Sequence, residues 1–178
     1  MLVCVTGEMA LKIFLTGERQ IGKSTIIKKV LSGIEGTPLG GYFTRAVDAD
    51  IYMYPACDEK APGVIVGRKH LGGYTDVFDK EGAAILRKST AANLVILDEI
   101  GWMEADADVF SLEILKIVSS EQDVLGVLRK DCDTKLCHTL RALPAVELIT
   151  VTEENRDELA LILSERFKEG GASLNRAD

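Results

Sequence analysis

The stretch Gly17-Glu18-Arg19-Gln20-Ile21-Gly22-Lys23-Ser24 reads G-x-x-x-x-G-K-S. It follows the apolar run Lys12-Ile13-Phe14-Leu15-Thr16 and leads into Thr25-Ile26-Ile27-Lys28-Lys29-Val30-Leu31. A strand, a glycine-bounded loop and an amphipathic helix in that order are the context a phosphate-binding P-loop requires. The two glycines let the backbone turn back on itself, so that consecutive N–H groups converge on phosphate oxygens. A helix starting near Lys23 adds unpaired N–H groups and the positive end of its dipole. The expected nucleotide-binding residues are therefore Gly17, Glu18, Arg19, Gln20, Ile21, Gly22, Lys23, Ser24 and Thr25. Within them Lys23 reaches the β- and γ-phosphates, and the Ser24 hydroxyl sits on Mg2+.

A P-loop needs an acidic partner, and Asn93-Leu94-Val95-Ile96-Leu97-Asp98-Glu99 supplies it. Four consecutive apolar residues describe a strand buried on both faces of a parallel sheet. Asp98, at its end, is placed to hold magnesium through water. Glu99, directly after it, is suited to take a proton from a water attacking the γ-phosphate. Lys23 and Glu99 are thus the expected catalytic residues, and Ser24 and Asp98 the metal-side pair. Charge spreading over the phosphate oxygens in the transition state also calls for a further cation. Arg19, Arg45, Arg129 and Arg156 are the candidates, whereas His70 and His138 have no partner pattern and are read as incidental.

Outward from these motifs, strands alternate with helices. Gly36-Thr37-Pro38-Leu39-Gly40-Gly41 reads as a turn cluster, and residues 42–47 and 51–54 as a β-hairpin joined by Asp48-Ala49-Asp50. Residues 63–67 form a short strand, and spacing predicts a helix over 77–92. Further helices are expected over 108–119, within 134–143 and over 154–167, the last ended by Gly170-Gly171. Strands are expected over 124–128 and 146–151. The pattern predicts an α/β fold with a mostly parallel central sheet, helices on both faces and an added hairpin. In such sheets ligands bind at the carboxyl ends of the strands, where Gly17 and Asp98 both fall. The whole chain, 1–178, reads as one P-loop domain. Residues 2–8 partly echo 13–18; residues 1–8 read as an extension or an added edge strand, and 172–178 as a frayed tail.

Composition narrows the function. With 47% hydrophobic and 28% charged residues, the chain is an ordinary soluble protein. A net charge of −7 argues against a nonspecific nucleic-acid binder, which needs a basic field. No apolar run is long enough to span a membrane and residues 1–9 lack the features of a secretory signal, so a cytoplasmic location is expected. Cys4, Cys57, Cys132 and Cys137 show no paired framework. The Cys132-x4-Cys137-His138 spacing, even with Cys57, is looser than structural zinc sites use, and reduced thiols are the reading.

Asp98-Glu99-Ile100-Gly101-Trp102-Met103-Glu104 resembles the D-E-I-G-x-M-E signature of the nucleoside-triphosphate phosphatases first described in thermophiles, also called cancer-related NTPases. Thr16-Gly17 through Ser24-Thr25, Gly41-Tyr42-Phe43-Thr44 and Thr152-Glu153-Glu154-Asn155-Arg156-Asp157 are similar to further stretches of that family. Order and spacing agree over residues 12–167. The resemblance implies a RecA-like fold and slow Mg2+-dependent hydrolysis of ATP, GTP and other nucleoside triphosphates. It casts Lys23 and Ser24 as phosphate and magnesium ligands, Asp98 as the metal-side acid and Glu99 as the base. The chain reads as a divergent member: its P-loop has no internal glycine or proline, and Trp102 stands where lysine is common. Packing beneath a helix is the expected place for that tryptophan, with stacking over the site as the alternative.

Two other readings use the same P-loop. A small-molecule or nucleotide kinase needs a second pocket and a basic lid, for which residues 129–141 are a candidate interrupted by Asp131 and Asp133. A non-catalytic switch needs only binding. Oligomeric state is open at this level.

Overall fold

A computed structural model describes residues 10–58 and 60–174 of the 178-residue chain. The expected extension 1–8 lies outside the described residues, as does most of the tail. The parallel core consists of β1 (Lys12–Thr16), β2 (Leu39–Val47), β6 (Leu94–Ile100), β7 (Asp123–Leu128) and β8 (Glu147–Thr150). Antiparallel strands β3 (Asp50–Pro55), β4 (Val64–Arg68) and β5 (Gly72–Gly73) extend it from β2. The eight strands run in the order β5-β4-β3-β2-β6-β7-β1-β8. This is the mostly parallel, RecA-like arrangement expected, with the hairpin added on one side. Strand β7 separates the P-loop strand β1 from the acidic strand β6, pairing in parallel with both.

Alternation along the central strands explains why helices cover both faces. Ile13 and Leu15 of β1, Leu94 and Ile96 of β6, and Leu125 and Val127 of β7 form one cluster. It is closed by α1 (Lys23–Gly33) through Ile26, Ile27 and Val30, and by α6 (Arg156–Leu174) through Leu159 and Leu163. The intervening residues Phe14, Val95, Leu97 and Val124 face the other way. Their cover is α3 (Ala83–Arg87), α4 (Asp108–Val118) and α5 (Lys135–Ala142), through Leu86, Phe110, Ile114, Leu136 and Leu140. Successive strand side chains point to opposite faces, so four apolar residues in a row need two apolar covers. Among the described residues no helix is long and apolar enough to cross a membrane.

Three local expectations are corrected. The helix expected over 77–92 is composite: α2 (Thr75–Val77), a π turn (Phe78–Gly82), α3 and a 3-10 turn (Lys88–Ala91). The widened turn carries Asp79, whose carboxylate accepts the Phe110 N–H at 2.9 Å in the first turn of α4, a donor that no helical carbonyl reaches. Gly170-Gly171 does not end α6, which runs on to Leu174; interior glycine costs a helix about 1 kcal/mol and does not forbid it. Finally, the cluster 36–41 is only partly a turn, because β2 already begins at Leu39.

Close approach is why β2 opens on two glycines. Gly41 has φ +82°, and a Cβ there would lie 1.9 Å from the Ile96 carbonyl oxygen of β6. Gly40 leaves room for Ser89, whose hydroxyl accepts the Gly41 N–H at 2.7 Å. We predict that Gly41→Ala lowers stability by about 3 kcal/mol, from backbone strain plus overpacking, read as a lower urea midpoint at unchanged slope.

Candidate functional site at the carboxyl ends of the strands

The P-loop leaves β1 at Gly17, where φ is +134° and a Cβ would meet the Val151 carbonyl oxygen at 2.6 Å. Gln20 (φ 62°) and Gly22 (φ 112°) are also left-handed, so the loop folds back before α1 begins at Lys23. No side chain caps that helix start. Among the described residues its first N–H groups have no side-chain partner, and they carry the favourable end of the helix dipole for an anion. Lys23 is nearly buried and lies across the loop, its Nζ donating to the carbonyls of Gly17 (2.9 Å) and Glu18 (2.7 Å). Burial lowers its pKa, opposed in part by the charge of Glu99.

At the end of β6 the Ser24 hydroxyl donates to Asp98 Oδ1 at 3.4 Å. Asp98 is 5% exposed, and its pKa is pushed up to about 6, first by burial and then by the neighbouring Glu99 charge. A hydroxyl and a carboxylate meeting beside a phosphate loop is the donor set that magnesium takes in such sites, with phosphate and water oxygens completing its shell. The residues present therefore fit Mg2+.

Glu99, next along, is half exposed and pairs with Arg129 at the end of β7 (Nη1 to Oε1, 3.2 Å). The same guanidinium lies over the Trp102 ring, with Cζ 3.8 Å from the centroid. Trp102 is 49% exposed, so the expectation of a tryptophan packed beneath a helix is corrected. Arg129 is in turn held by its backbone, because Arg141 donates to the carbonyls of Arg129, Lys130 and Cys132. Lys130 bridges to Glu18 of the P-loop at 2.6 Å.

The four candidate arginines separate. Arg19 and Arg129 line one cleft of about 610 Å³ together with Gly17, Lys23 and Glu99. Arg156 packs behind the loop, its Cδ 3.9 Å from where a Gly22 Cβ would stand. Arg45 lies over Tyr54 on the hairpin, 5.4 Å from the ring centroid, and does not line the cleft. His70, read as incidental, is on the cleft wall in the β4–β5 turn beside Arg68 and Lys69. His138 faces Asp133 on the surface. Cys57 is exposed, whereas Cys132 and Cys137 are buried with their sulfurs 2.6 Å apart. No group of three or more potential metal ligands occurs among the described residues.

Nothing in the sequence marks Glu104 as a site residue beyond its place in the D-E-I-G-x-M-E stretch. It is 3% exposed, and its carboxylate accepts the Gly101 N–H, bracing the turn that carries Trp102. Burial pushes its pKa up to about 7.

The NTPase family matches residues 59–163 of the chain. A nucleoside-triphosphatase THEP1 of Thermococcus kodakarensis is 30% identical over 181 residues, covering 90% of this chain and 97% of the relative. One of the same name from Methanosarcina barkeri is 28% identical over 175 residues, covering 89% and 98%. Among solved structures, THEP1 from the hyperthermophile Aquifex aeolicus superposes with a TM-score of 0.74 at 24% identity. It covers 86% of this chain and 96% of that one, and supports the fold.

For Glu104 the sign of the pH effect follows from its raised pKa. The folded state favours the protonated acid, so stability is full below the ordinary value of 4.5 and falls as pH climbs to about 7. Glu104→Gln removes that titration. We predict that the variant's stability relative to the parent improves by ~2–3 kcal/mol between pH 4.5 and 7.5, measured as paired urea midpoints.

Proposed function

The chain belongs to the NTPase family, and on that premise we propose that it is a Mg2+-dependent nucleoside triphosphatase, cleaving the γ-phosphate of ATP, GTP and related triphosphates by water attack. The observation that carries this reading is the convergence, at one end of the sheet, of Lys23, the Ser24–Asp98 pair and Glu99. In this reading the P-loop N–H groups and Lys23 bind the phosphate chain. Ser24 and Asp98 hold Mg2+, which when bound neutralises charge on the β- and γ-oxygens. Glu99 orients the attacking water and accepts its proton as the bond from the γ-phosphorus to the β-bridging oxygen breaks. Arg19 and Arg129 face the cleft where negative charge develops. One domain spanning 1–178 and a cytoplasmic location belong to the same reading.

Phosphate release from a panel of triphosphates, with magnesium and no acceptor, tests it. Glu99→Gln is expected to keep nucleotide affinity and to lose turnover by about 100-fold or more; Lys23→Ala is expected to lose both. Undiminished turnover in Glu99→Gln would remove it as the base.

A further inference from the structure

The cleft is larger, and differently placed, than hydrolysis requires. Its P-loop wall is Gly17, Glu18, Arg19 and Lys23, and it also contains Glu99 and Arg129. Ser24 and Asp98, the metal-side pair of that reading, and Thr25, the next residue of the helix, do not line it. With the triphosphate held as proposed above, the cleft therefore opens at the γ-phosphate and runs away from the nucleoside. It ends on the antiparallel extension, at Ala46, Ile51 and the β4–β5 turn. Beside the γ-phosphate at its P-loop wall, an attacking water needs only about 30 Å³ more. The cleft volume of about 610 Å³ is that of a small-molecule pocket.

Its charge is also in excess of what the reaction uses. Six cations line it (Arg19, Lys23, Arg68, Lys69, Arg129, Lys130) against Glu18, Glu99 and Asp131, in a chain whose net charge is −7. The phosphates and Glu99 account for those near the P-loop. Arg68 and Lys69 stand on the far wall. Asp50 takes Arg68 Nε at 3.1 Å, and the two Nη groups have no partner among the described residues. Lys69 Nζ donates to the Asp48 carbonyl, which leaves its charge uncompensated. Between the two ends, Trp102 presents a half-exposed ring, with Arg129 over it. A planar group stacks on such a ring, and a phosphate is what a guanidinium fork and an ammonium recognise.

We propose that this far half of the cleft is a second binding site, occupied beside the bound triphosphate by a phosphate-bearing planar ligand of the nucleoside monophosphate class. It rests on the triphosphate reading for the direction of the phosphate chain. Trp102 carries the ring of the ligand, Arg68 and Lys69 its phosphate. Occupancy displaces water from the neighbourhood of Glu99, so the ligand slows hydrolysis without competing for the P-loop.

Trp102 is the sole tryptophan of the chain, so its emission reports the site directly. The protein is saturated with Mg2+ and a β,γ-imido triphosphate, then titrated with AMP and, separately, GMP. In parallel, AMP is tested as an inhibitor of ATP hydrolysis. The expected result is a saturable emission change with the analogue in place, and inhibition that lowers kcat without raising the KM for ATP. Arg68→Ala/Lys69→Ala is expected to weaken monophosphate binding by about 10-fold or more while hydrolysis without monophosphate is unchanged. Competitive inhibition with no emission change on the saturated protein overturns the second site, since the monophosphate then uses the P-loop alone. Unchanged affinity in the double variant overturns it as well. Failure of the analogue itself to bind overturns the triphosphate reading and this inference together; bound analogue without a monophosphate response overturns this inference only.

Discussion

Burial of the central strands on both faces is the constraint from which the rest of the molecule follows. With helices above and below, β1, β6 and β7 are left with only their ends in contact with solvent. Because these strands are parallel, their carboxyl ends share one rim of the sheet. The candidate phosphate-binding and acidic groups stand on that rim. Gly17 and Arg129 lie just past the ends of buried strands, and Asp98 near the end of β6, so their mutual distances are set by strand spacing. The P-loop turn itself is seated on the same rim, with the Val151 carbonyl too close to Gly17 for any side chain.

The rim is also where the fold tolerates poorly solvated charge. Asp98 and Glu104 are both nearly buried acids with raised pKa values, and burial is the largest cause in each. They differ in what compensates them. Asp98 has the Ser24 hydroxyl, with Lys28 and Lys23 nearby. Glu104 has backbone N–H groups and acts within the structure, holding the turn after β6. Two acids six residues apart are thus compensated in different ways, one beside the candidate site and one within the scaffold.

The parallel core, and the grouping of the P-loop with the acidic strand end, were legible because each is written locally. A glycine-bounded loop between strand and helix, and four apolar residues before two acids, need no knowledge of distant contacts. What was not legible depends on packing between segments far apart in the chain. Gly40 and Gly41 look like turn residues until β6 and Ser89 are placed against them. Trp102 looks like a core residue until the β4–β5 turn and Arg129 form a cleft around it. His70 and Lys69 carry no pattern of their own; the antiparallel extension brings them to the rim. The split helix over 75–91 has the same origin, in the demand of α4 for the Asp79 carboxylate.

The contact between Arg129 and Glu99 gives the resting molecule a property of its own. One guanidinium balances the carboxylate and lies against an aromatic face, with its backbone pinned by Arg141. In the proposed hydrolysis, an arriving phosphate chain offers that cation a denser anion within the same cleft. The arginine then leaves the carboxylate as the substrate takes its place. In that reading, filling the site and releasing Glu99 from its cation are a single event. The ion pair then sets the order of steps in the proposed reaction.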